Sequence, residues 1–338
     1  MITVTHVLPE SGTGGAEIAA ERFANAELDT IRARTFYLIQ NTVRPKVLRM
    51  LLFFRNMGRL LFEPKPDIMI FSFWKCAVFL PLFYLASRRA RLVLFLHSDR
   101  DTHLLDMIGT RLGAWVADEI WTDAGRNIAY RLPRYRGKVR QISFYFPLAN
   151  PPGVSPRPRP RFIYWGRLQE LKNLTRAVRF TALIRQRFDD VRFLIIGPDC
   201  GAADGVRREI AALGLTGCVE IAREAPLEEI VDRAGDFSFF LLTSRQEGAC
   251  MSIIEAMQAG LVPVANPVGD IPVYCRDGEN AVLLGDDDEN SAEAVTRLIR
   301  DPARYAAFQS RARAVWRDRP TYIESKSDAV RALGSSSR

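Results

Sequence analysis

The chain has 338 residues, of which 48% are hydrophobic and 25% charged, as expected for a globular protein long enough to form two domains. Its formal net charge of +8 and its pI near 9.4 favour an anionic partner, such as a nucleotide, a phosphate group, an acidic lipid or a nucleic acid, although solubility alone would also account for them. The five cysteines form no CxxC pair, which argues against a zinc site or a disulfide framework and predicts reduced thiols in a cytosolic protein.

The first predicted element is the strand "ITVTHVL", followed by the glycine-rich loop "SGTGGAE". The opening residues lack the basic start, long apolar run and cleavage site of a signal peptide. Gly14 and Gly15 would let the backbone approach a phosphate at the N-terminus of the next helix, although tight turns use such loops equally often. The loop lacks the GxGxxG spacing, and the second strand ends at Gln40 without an acid, so no nicotinamide cofactor is expected.

Residues 43–65 carry six cations and one acid among large apolar side chains. On a helical wheel, Arg49, Arg55, Asn56 and Arg59 lie opposite the apolar positions, which are Met50, Leu51, Phe53, Phe54, Met57, Leu60 and Leu61. This pattern is typical of a helix in an anionic membrane surface, and equally of a core helix with a basic outer face. The longest apolar run, "AVFLPLFYLA", contains a proline and is too short to cross a bilayer.

The predicted strand "RLVLFLH" ends at His97, one of three histidines in the chain. Ligands bind at the carboxyl ends of strands in parallel sheets, so His97 is a candidate site residue, although a lone histidine more often serves packing. The triplet Asp99-Arg100-Asp101 resembles the acid-x-acid metal motif of a transferase architecture with one sheet domain. Two sheet domains are predicted here and the triplet is a weak signal, so no metal site is expected.

Residues 147–161, "PLANPPGVSPRPRPR", contain six prolines and predict an extended linker. Apolar runs alternate with helical patterns on both sides of it: "ITVTHVL", "RTFYLIQ", "DIMIFSF", "RLVLFLH", "DEIWT" and "KVRQIS" before, and "RFIYWG", "VRFLIIG", "CVEIA", "DFSFFLL", "LVPVA" and "NAVLL" after. Such runs are typical of parallel sheets covered on both faces, which predicts an α/β protein with two Rossmann-like, doubly wound domains. The predicted division is an N-terminal domain over 1–148, a linker over 149–160 and a C-terminal domain over 161–320. A last segment, 321–338, is predicted to pack back on the N-terminal domain and to have a flexible end.

Two loops of the second half carry further candidates. In "YWGRLQELKN", Arg167 and Lys172 lie in the turn before a predicted helix, where two cations and a helix N-terminus could neutralise a diphosphate, although isolated cations are more often solvated. In "FSFFLLTSRQEGACMSIIEAMQAG", Glu247 follows a strand and can face a ligand. Ser252 and Glu255 fit a capping box that starts the next helix, which is the structural explanation of Glu255.

Together, "GRLQELKN", "VRFLIIG" and "SRQEGACMSIIEAMQAGLVPVANPVG" resemble the retaining glycosyltransferases of family 4 (glycosyl transferases group 1), which have the GT-B fold of two Rossmann-like domains facing each other across a cleft. The resemblance is strongest from Arg161 to about Asp287, and the N-terminal half matches loosely. The chain departs from the family at Ala249-Cys250, usually Phe-Gly, and at 269–273, often Gly-Gly-x-Pro-Glu. Both departures leave the identity of the sugar open.

The resemblance implies how the donor is bound. Arg167 and Lys172 would hold the diphosphate of the nucleotide-sugar, with help from the backbone amides of Met251, Ser252 and Ile253.

The resemblance also implies the contacts of the ribose and the sugar. Glu255 would bind the ribose hydroxyls, and Glu247, as a catalytic residue, would orient the transferred sugar. Gly14 and Gly15 would approach the phosphate from the other domain, and His97 would lie beside the sugar as a second catalytic candidate.

The implied function is transfer of a sugar from a UDP- or GDP-sugar to a glycan acceptor with retention of configuration, without a metal or other cofactor. By analogy, the acceptor is lipid-linked and belongs to cell-surface polysaccharide or lipopolysaccharide assembly. The expected location is the cytoplasm, with peripheral attachment to the membrane through residues 43–65, and no nucleic acid partner is expected. The alternatives are a nucleotide-sugar epimerase on the same fold and a non-catalytic nucleotide-sugar-binding protein.

Overall fold

The computed structural model describes residues 1–12, 14–42, 45–87, 89–97, 101, 103–123, 131–149, 151, 155 and 157–335. The chain forms two compact units. The first contains residues 1–144 and the chain from Pro320 onward, and the second contains Tyr145–Arg319. The division therefore falls after Phe144 rather than after residue 148, and residues 149–160 are grouped with the second unit.

Within the described residues, the first unit is built on a parallel sheet of six strands in the order β2-β1-β3-β4-β5-β6. The strands are β1 (Ile2–Glu10), β2 (Ile31–Ile39), β3 (Ile68–Ser72), β4 (Arg91–Leu96), β5 (Glu119–Thr122) and β6 (Val139–Gln141). In the pairing of β1 with β3, Val4 lies opposite Ile68. Every residue of β3 is buried, because helices cover a central parallel strand on both faces.

Among the described residues, the α-helices of the first unit with assigned bounds are α1 (Gly15–Ala24), α2 (Lys46–Phe62), α3 (Trp74–Ala77), α4 (Leu80–Ala86), α5 (Leu104–Val116) and a C-terminal helix (Tyr322–Ser335). Met57 of α2, Leu80 of α4 and Ala114 of α5 join one core with Leu94, as expected if the usual right-handed crossovers put these helices on one face of the sheet. The C-terminal helix contacts α1 and β1.

The second unit is built on a second parallel sheet, with six described strands in the order β12-β11-β10-β7-β8-β9. These are β7 (Arg161–Trp165), β8 (Arg192–Ile196), β9 (Val219–Ala222), β10 (Phe239–Leu242), β11 (Val262–Ala265) and β12 (Val282–Leu283). Its helices are α6 (Leu174–Arg185), α7 (Ala203–Ala212), α8 (Leu227–Ala234), α9 (Met251–Ala259), α10 (Ile271–Tyr274), α11 (Asp288–Arg300) and α12 (Pro302–Ala314). Aromatic residues such as Phe162, Phe180 and Phe239 pack together in one core.

The predicted fold class is confirmed. Each of the apolar runs taken as a strand forms one of β1 to β12, and both sheets are parallel. Among the described residues, no helix has the length and hydropathy needed to cross a bilayer.

Candidate functional site

The strands β11, β10 and β7 are neighbours in the second sheet, so the loops that follow their carboxyl ends lie side by side. Gly166 and Arg167 follow β7. The backbone carbonyl of Arg167 accepts a hydrogen bond from Tyr164 Oη at 3.2 Å. The guanidinium of Arg167 is exposed and forms no hydrogen bond or ion pair with a described residue. The backbone is therefore held while the charge is available to an anionic ligand.

Lys172 and Glu247, predicted separately, form an ion pair. Lys172 ends the 3₁₀ turn Glu170–Lys172, and its ammonium lies 2.6 Å from Oε1 of Glu247. The two side chains are only 15% and 8% exposed, so solvent screens their attraction weakly. The cation predicted for the diphosphate is thus next to the carboxylate predicted for the sugar.

The loop that carries Glu247 is fixed by the loop after β11. Gly269 has a φ of +58°, and a Cβ at this position would overlap the carbonyl oxygen of Glu247 and lie 2.7 Å from that of Gly248. Tyr274 Oη donates a hydrogen bond to the carbonyl of Ala249 at 2.7 Å. Only glycine permits both this backbone conformation and this close approach. The residues around Gly269 were noted only as a departure from the family pattern, and the part of Gly269 in shaping the loop was missed.

The predicted capping box at the start of α9 is wrong. The helix begins at Met251, and its N-cap is Cys250, which has a φ of +52° and forms no side-chain capping bond. Contacts of the preceding loop, rather than a local Ser252 cap, set where the helix starts. The Ile253 amide donates to the Cys250 carbonyl at 3.2 Å. Of the three amides predicted to bind phosphate, those of Met251 and Ser252 have no partner in the described ranges.

Glu255 is tied to the end of β7 instead of to the helix start. Its carboxylate is buried and accepts a hydrogen bond from Nε1 of Trp165 at 2.8 Å. Trp165 was missed in the sequence. The available signal was an indole at the end of a buried strand, whose N–H needs an acceptor. The bond brings Glu255 to the strand end that also carries Arg167.

Cys250, at one of the departures from the family pattern, is not a nucleophile in this environment. Burial raises the pKa of its thiol to about 12, and the nearby charge of Glu247 adds to that effect. The thiol stays protonated at neutral pH, and only the thiolate reacts readily.

In the first unit, Gly14 is the N-cap of α1 and Gly15 is its first residue. The carboxylate of Glu17, in the first turn, folds back against Gly14 so closely that a Cβ there would overlap it. A negative side chain thus already interacts with the helix N-terminus at which a phosphate was predicted. For Gly14 and Gly15 to approach a phosphate as predicted, the carboxylate of Glu17 would have to move away from the helix N-terminus.

His97 follows β4, and both of its ring nitrogens are engaged within the first unit. Nδ1 lies 2.7 Å from Oδ2 of Asp123, and Nε2 lies 2.9 Å from Oγ of Ser72. Asp123 and Ser72 were missed, since each merely follows or ends an apolar run. A catalytic role for a His97 nitrogen stays a prediction, and would require one of these bonds to open.

The acid-x-acid triplet falls partly outside the described residues, which include Asp101 but neither Asp99 nor Arg100. Asp101 pairs with Arg131 at 2.7 Å and with Arg111 at 3.0 Å. No group of three or more His, Cys, Asp or Glu side chains suited to a metal occurs in the part of the chain that the structure describes.

The family described as "Glycosyl transferases group 1" matches residues 150–315, which include every candidate residue of the second unit. A GDP-mannose:cellobiosyl-diphosphopolyprenol alpha-mannosyltransferase of Xanthomonas campestris is 28% identical over 167 residues, covering 46% of this chain and 43% of that protein. A D-inositol 3-phosphate glycosyltransferase of Rhodococcus opacus (strain B4) is 30% identical over 156 residues, covering 44% and 34%. The chain thus spans less than half of these curated relatives.

Solved structures resemble the chain over its whole length. The Anabaena protein Alr3699/HepE, in complex with UDP and glucose, superposes with a TM-score of 0.80 at 15% identity, covering 99% of this chain and 100% of that one. The sucrose-phosphate synthase of Thermosynechococcus elongatus has a TM-score of 0.74 at 16% identity, covering 99% and 98%. At these identities the likeness concerns the fold, which is GT-B.

Proposed function

We propose that this protein is a retaining glycosyltransferase that moves a sugar from a UDP- or GDP-sugar to a lipid-linked glycan acceptor in the cytoplasm. The observation that carries the proposal is the arrangement at the carboxyl edge of the second sheet. The Lys172–Glu247 ion pair lies on loops that adjoin those of the Arg167 guanidinium and of the Met251 and Ser252 amides, and neither the guanidinium nor these amides have a partner among the described residues.

This arrangement suits a nucleoside diphosphate that leaves a sugar. Arg167, Lys172 and the positive end of α9 would stabilise the negative charge that develops on the diphosphate. Glu247 would accept hydrogen bonds from sugar hydroxyls, and Glu255 would bind the ribose. The cations can do this without a metal ion, so the proposed reaction is metal-independent.

The acceptor class rests on the named relatives. The Xanthomonas mannosyltransferase acts, by its name, on a cellobiosyl-diphosphopolyprenol, which is a lipid-linked glycan. This supports a role in cell-surface polysaccharide or lipopolysaccharide assembly. The relatives differ in the nucleotide, since that enzyme is named for GDP-mannose and the HepE structure holds UDP.

The proposed function is tested with purified protein, a panel of UDP- and GDP-sugars and a polyprenyl-diphosphate glycan. The nucleotide that the site binds should raise the melting temperature. The expected product is an extended acceptor whose new linkage, read by NMR, has the anomeric configuration of the donor. An epimerised donor without transfer would overturn the function, and an inverted linkage would overturn retention.

Arg167→Ala is expected to weaken nucleoside diphosphate binding by about tenfold or more, because it removes a charge-assisted hydrogen bond. Isothermal titration calorimetry measures the effect. Arg297→Ala is the matched control: it removes an exposed arginine from the last turn of α11, away from the carboxyl edge of the sheet. Equal affinities in both variants, or activity that strictly requires added magnesium or manganese, would contradict the assignment and return attention to Asp99 and Asp101.

Peripheral membrane attachment through residues 43–65 is the second part of the proposal. Residues 43 and 44 lie outside the described residues, and the rest contains α2. Met57 and Leu60 of the predicted apolar side are buried. Several other apolar residues on that side or next to it are exposed, namely Val47, Leu48, Met50, Leu51 and Phe54. A core helix would bury such side chains, so their exposure favours contact with lipid.

The exposed apolar surface continues onto the neighbouring helices. Phe53 of α2 packs on Phe79, just before α4, with ring centroids 5.8 Å apart, and α4 contacts α5. The exposed large side chains of α4 and α5 are Leu82, Tyr84, Leu85, Leu104, Leu105, Ile108, Leu112 and Trp115. Within α2, α4 and α5 the only acid is Asp106, which is buried. An apolar surface without exposed acids suits an anionic bilayer.

Arg55→Glu and Phe54→Ser should each reduce sedimentation with anionic vesicles, and binding of the unchanged protein should weaken as salt rises, since the Debye length is only ~10 Å at 0.1 M. Arg55 is chosen because Arg49 and Arg59 already pair with Glu10 and Glu63. Arg297→Glu is the charge-matched control and should bind normally. Failure of the unchanged protein to sediment with acidic vesicles at low salt would refute attachment.

A further inference from the structure

A row of buried polar side chains crosses the first unit, and we call Lys326, His6, Ser72, His97 and Asp123 the polar chain. Nζ of Lys326 lies 3.2 Å from Nδ1 of His6, and Nε2 of His6 lies 2.8 Å from Oγ of Ser72. The same Oγ lies 2.9 Å from Nε2 of His97, whose Nδ1 lies 2.7 Å from Oδ2 of Asp123. The polar chain thus connects the C-terminal helix with β1, β3 and the residues that follow β4 and β5.

Water has little access to the polar chain. Lys326 and Ser72 are fully buried, and His6 and Asp123 are only 3% and 7% exposed. The ring of Phe95 packs against both imidazoles, with centroids 6.0 Å and 4.3 Å away. Each polar atom in such a place depends on its neighbour in the polar chain for a hydrogen bond.

The lysine end of the polar chain does not by itself fix the proton of His6. Among the described residues no carboxylate pairs with Lys326, whose remaining neighbours are Tyr322 Oη at 3.0 Å and the ring of Phe23. Burial lowers the pKa of Lys326 well below its ordinary value, and burial also lowers the pKa of His6, to which the nearby lysine adds. A neutral amine has both a lone pair and N–H groups, so it can donate to Nδ1 of His6 or accept from it, and this end is satisfied by either neutral form of His6.

The aspartate end determines the proton of His97 independently. An ionised carboxylate only accepts hydrogen bonds, so Nδ1 of His97 must carry a proton for Asp123. In a neutral ring Nε2 is then an acceptor, and the Ser72 hydroxyl donates to it. The Ser72 oxygen then accepts from Nε2 of His6, which leaves Nδ1 of His6 to accept from the amine of Lys326. A single set of donors and acceptors therefore satisfies all four hydrogen bonds.

We propose that Asp123 is a positioning residue for His97, and that the polar chain fixes the protons of both buried imidazoles, with His97 protonated at Nδ1 and His6 at Nε2. Because the Ser72 hydroxyl has one proton to donate, the two rings can exchange nitrogens only together. The inference rests on the proposed function in one respect, which is the expected position of His97 beside the donor sugar. In that position beside the sugar, the polar chain would hold the imidazole of His97 in one orientation.

Nitrogen-15 NMR of histidine-labelled protein tests the proton positions directly, because the chain has only three histidines. The unchanged protein should show a one-bond N–H coupling at Nδ1 of His97 and at Nε2 of His6. The third ring, His103, accepts from the Asp106 amide through Nδ1 at 3.1 Å and serves as the internal control. Protonation of His97 at Nε2, alone or together with Nδ1, would overturn the proposal even without any variant.

Asp123→Ala tests the coupling between the rings. Without the carboxylate, His97 should lose its single protonated nitrogen and become a mixture of both neutral forms. His6, two hydrogen bonds away, should become a mixture as well, while His103 should not change. If the proton position changes in His97 but not in His6, or in neither ring, the two rings are not coupled through the polar chain and the proposal is wrong.

Ser72→Ala completes the test by removing the hydroxyl between the rings. In Ser72→Ala, His97 should remain protonated at Nδ1. In the double variant Ser72→Ala/Asp123→Ala, the proton position in His97 should change, while that in His6 should be the same as in Ser72→Ala alone. In a glycosyl transfer assay, Asp123→Ala should lower kcat by about tenfold, as is common when an orienting partner is lost, with little change in donor KM. If no transfer occurs at all, the proposed function fails, while the histidine spectra still decide the present proposal.

Discussion

Glu247→Gln is expected to lower kcat by about 100-fold, because it removes the carboxylate proposed to place the sugar for attack. Affinity for the nucleoside diphosphate should not fall. Glu247 binds Lys172 at 2.6 Å, so loss of its charge leaves the ammonium free to bind phosphate. Steady-state kinetics give kcat, and calorimetry with the nucleoside diphosphate gives the affinity.

Two further variants separate this role from a purely structural one. Lys172→Met should weaken nucleoside diphosphate binding, in contrast to Glu247→Gln. Glu255→Gln should chiefly raise the donor KM, since a ribose contact stabilises the ground state and the transition state alike. Exchanged phenotypes of the two glutamate variants would overturn the roles. A shared loss of affinity in Glu247→Gln and Lys172→Met would make Glu247 only a structural partner of the lysine.

Gly269→Ala should destabilise the second unit by about 3 kcal/mol, because the new Cβ adds overlap with the Glu247 carbonyl to a left-handed φ of +58°. Gly214→Ala is the matched control, with a φ of +65° and open space around its Cβ, and should lose about 1 kcal/mol from φ strain alone. Gly269→Ala should also lose donor binding, since the displaced loop carries Glu247.

Hydrogen exchange during a urea titration, read in peptides from β10 and β11, gives the free energy of unfolding of the second unit separately. Equal losses in the two glycine variants would mean that the loop after β10 moves aside easily. In that case Gly269 would be required only for its backbone conformation.

The prediction from sequence worked where one local pattern decides the structure. In "DIMIFSF" four successive residues, Ile68 to Phe71, are apolar, as expected for a central parallel strand covered on both faces, and all of β3 is indeed buried. Prediction of α2 succeeded only in part. Its periodicity predicted a helix, but which apolar side chains are covered depends on the neighbouring elements, and Met57 is buried while Met50 and Leu51 are exposed.

The capping box shows how a local pattern can mislead. Ser252-x-x-Glu255 has the right spacing, but Tyr274 and Gly269 hold the preceding loop so that the helix starts at Met251. Glu255 then has a better partner in the Trp165 indole. A capping bond contributes only about 1 kcal/mol, which such tertiary contacts readily exceed.

By itself, the sequence determined the two parallel-sheet domains and the loops that carry the candidate residues, because hydrophobic period and strand ends are local properties. Only the tertiary structure decided which of those residues meet. Lys172 and Glu247 are 75 positions apart, Trp165 and Glu255 are 90 apart, and Lys326 reaches His6 across 320. No pattern within one element encodes such contacts, since they depend on the order of strands in the sheet and on the packing of one loop against the next.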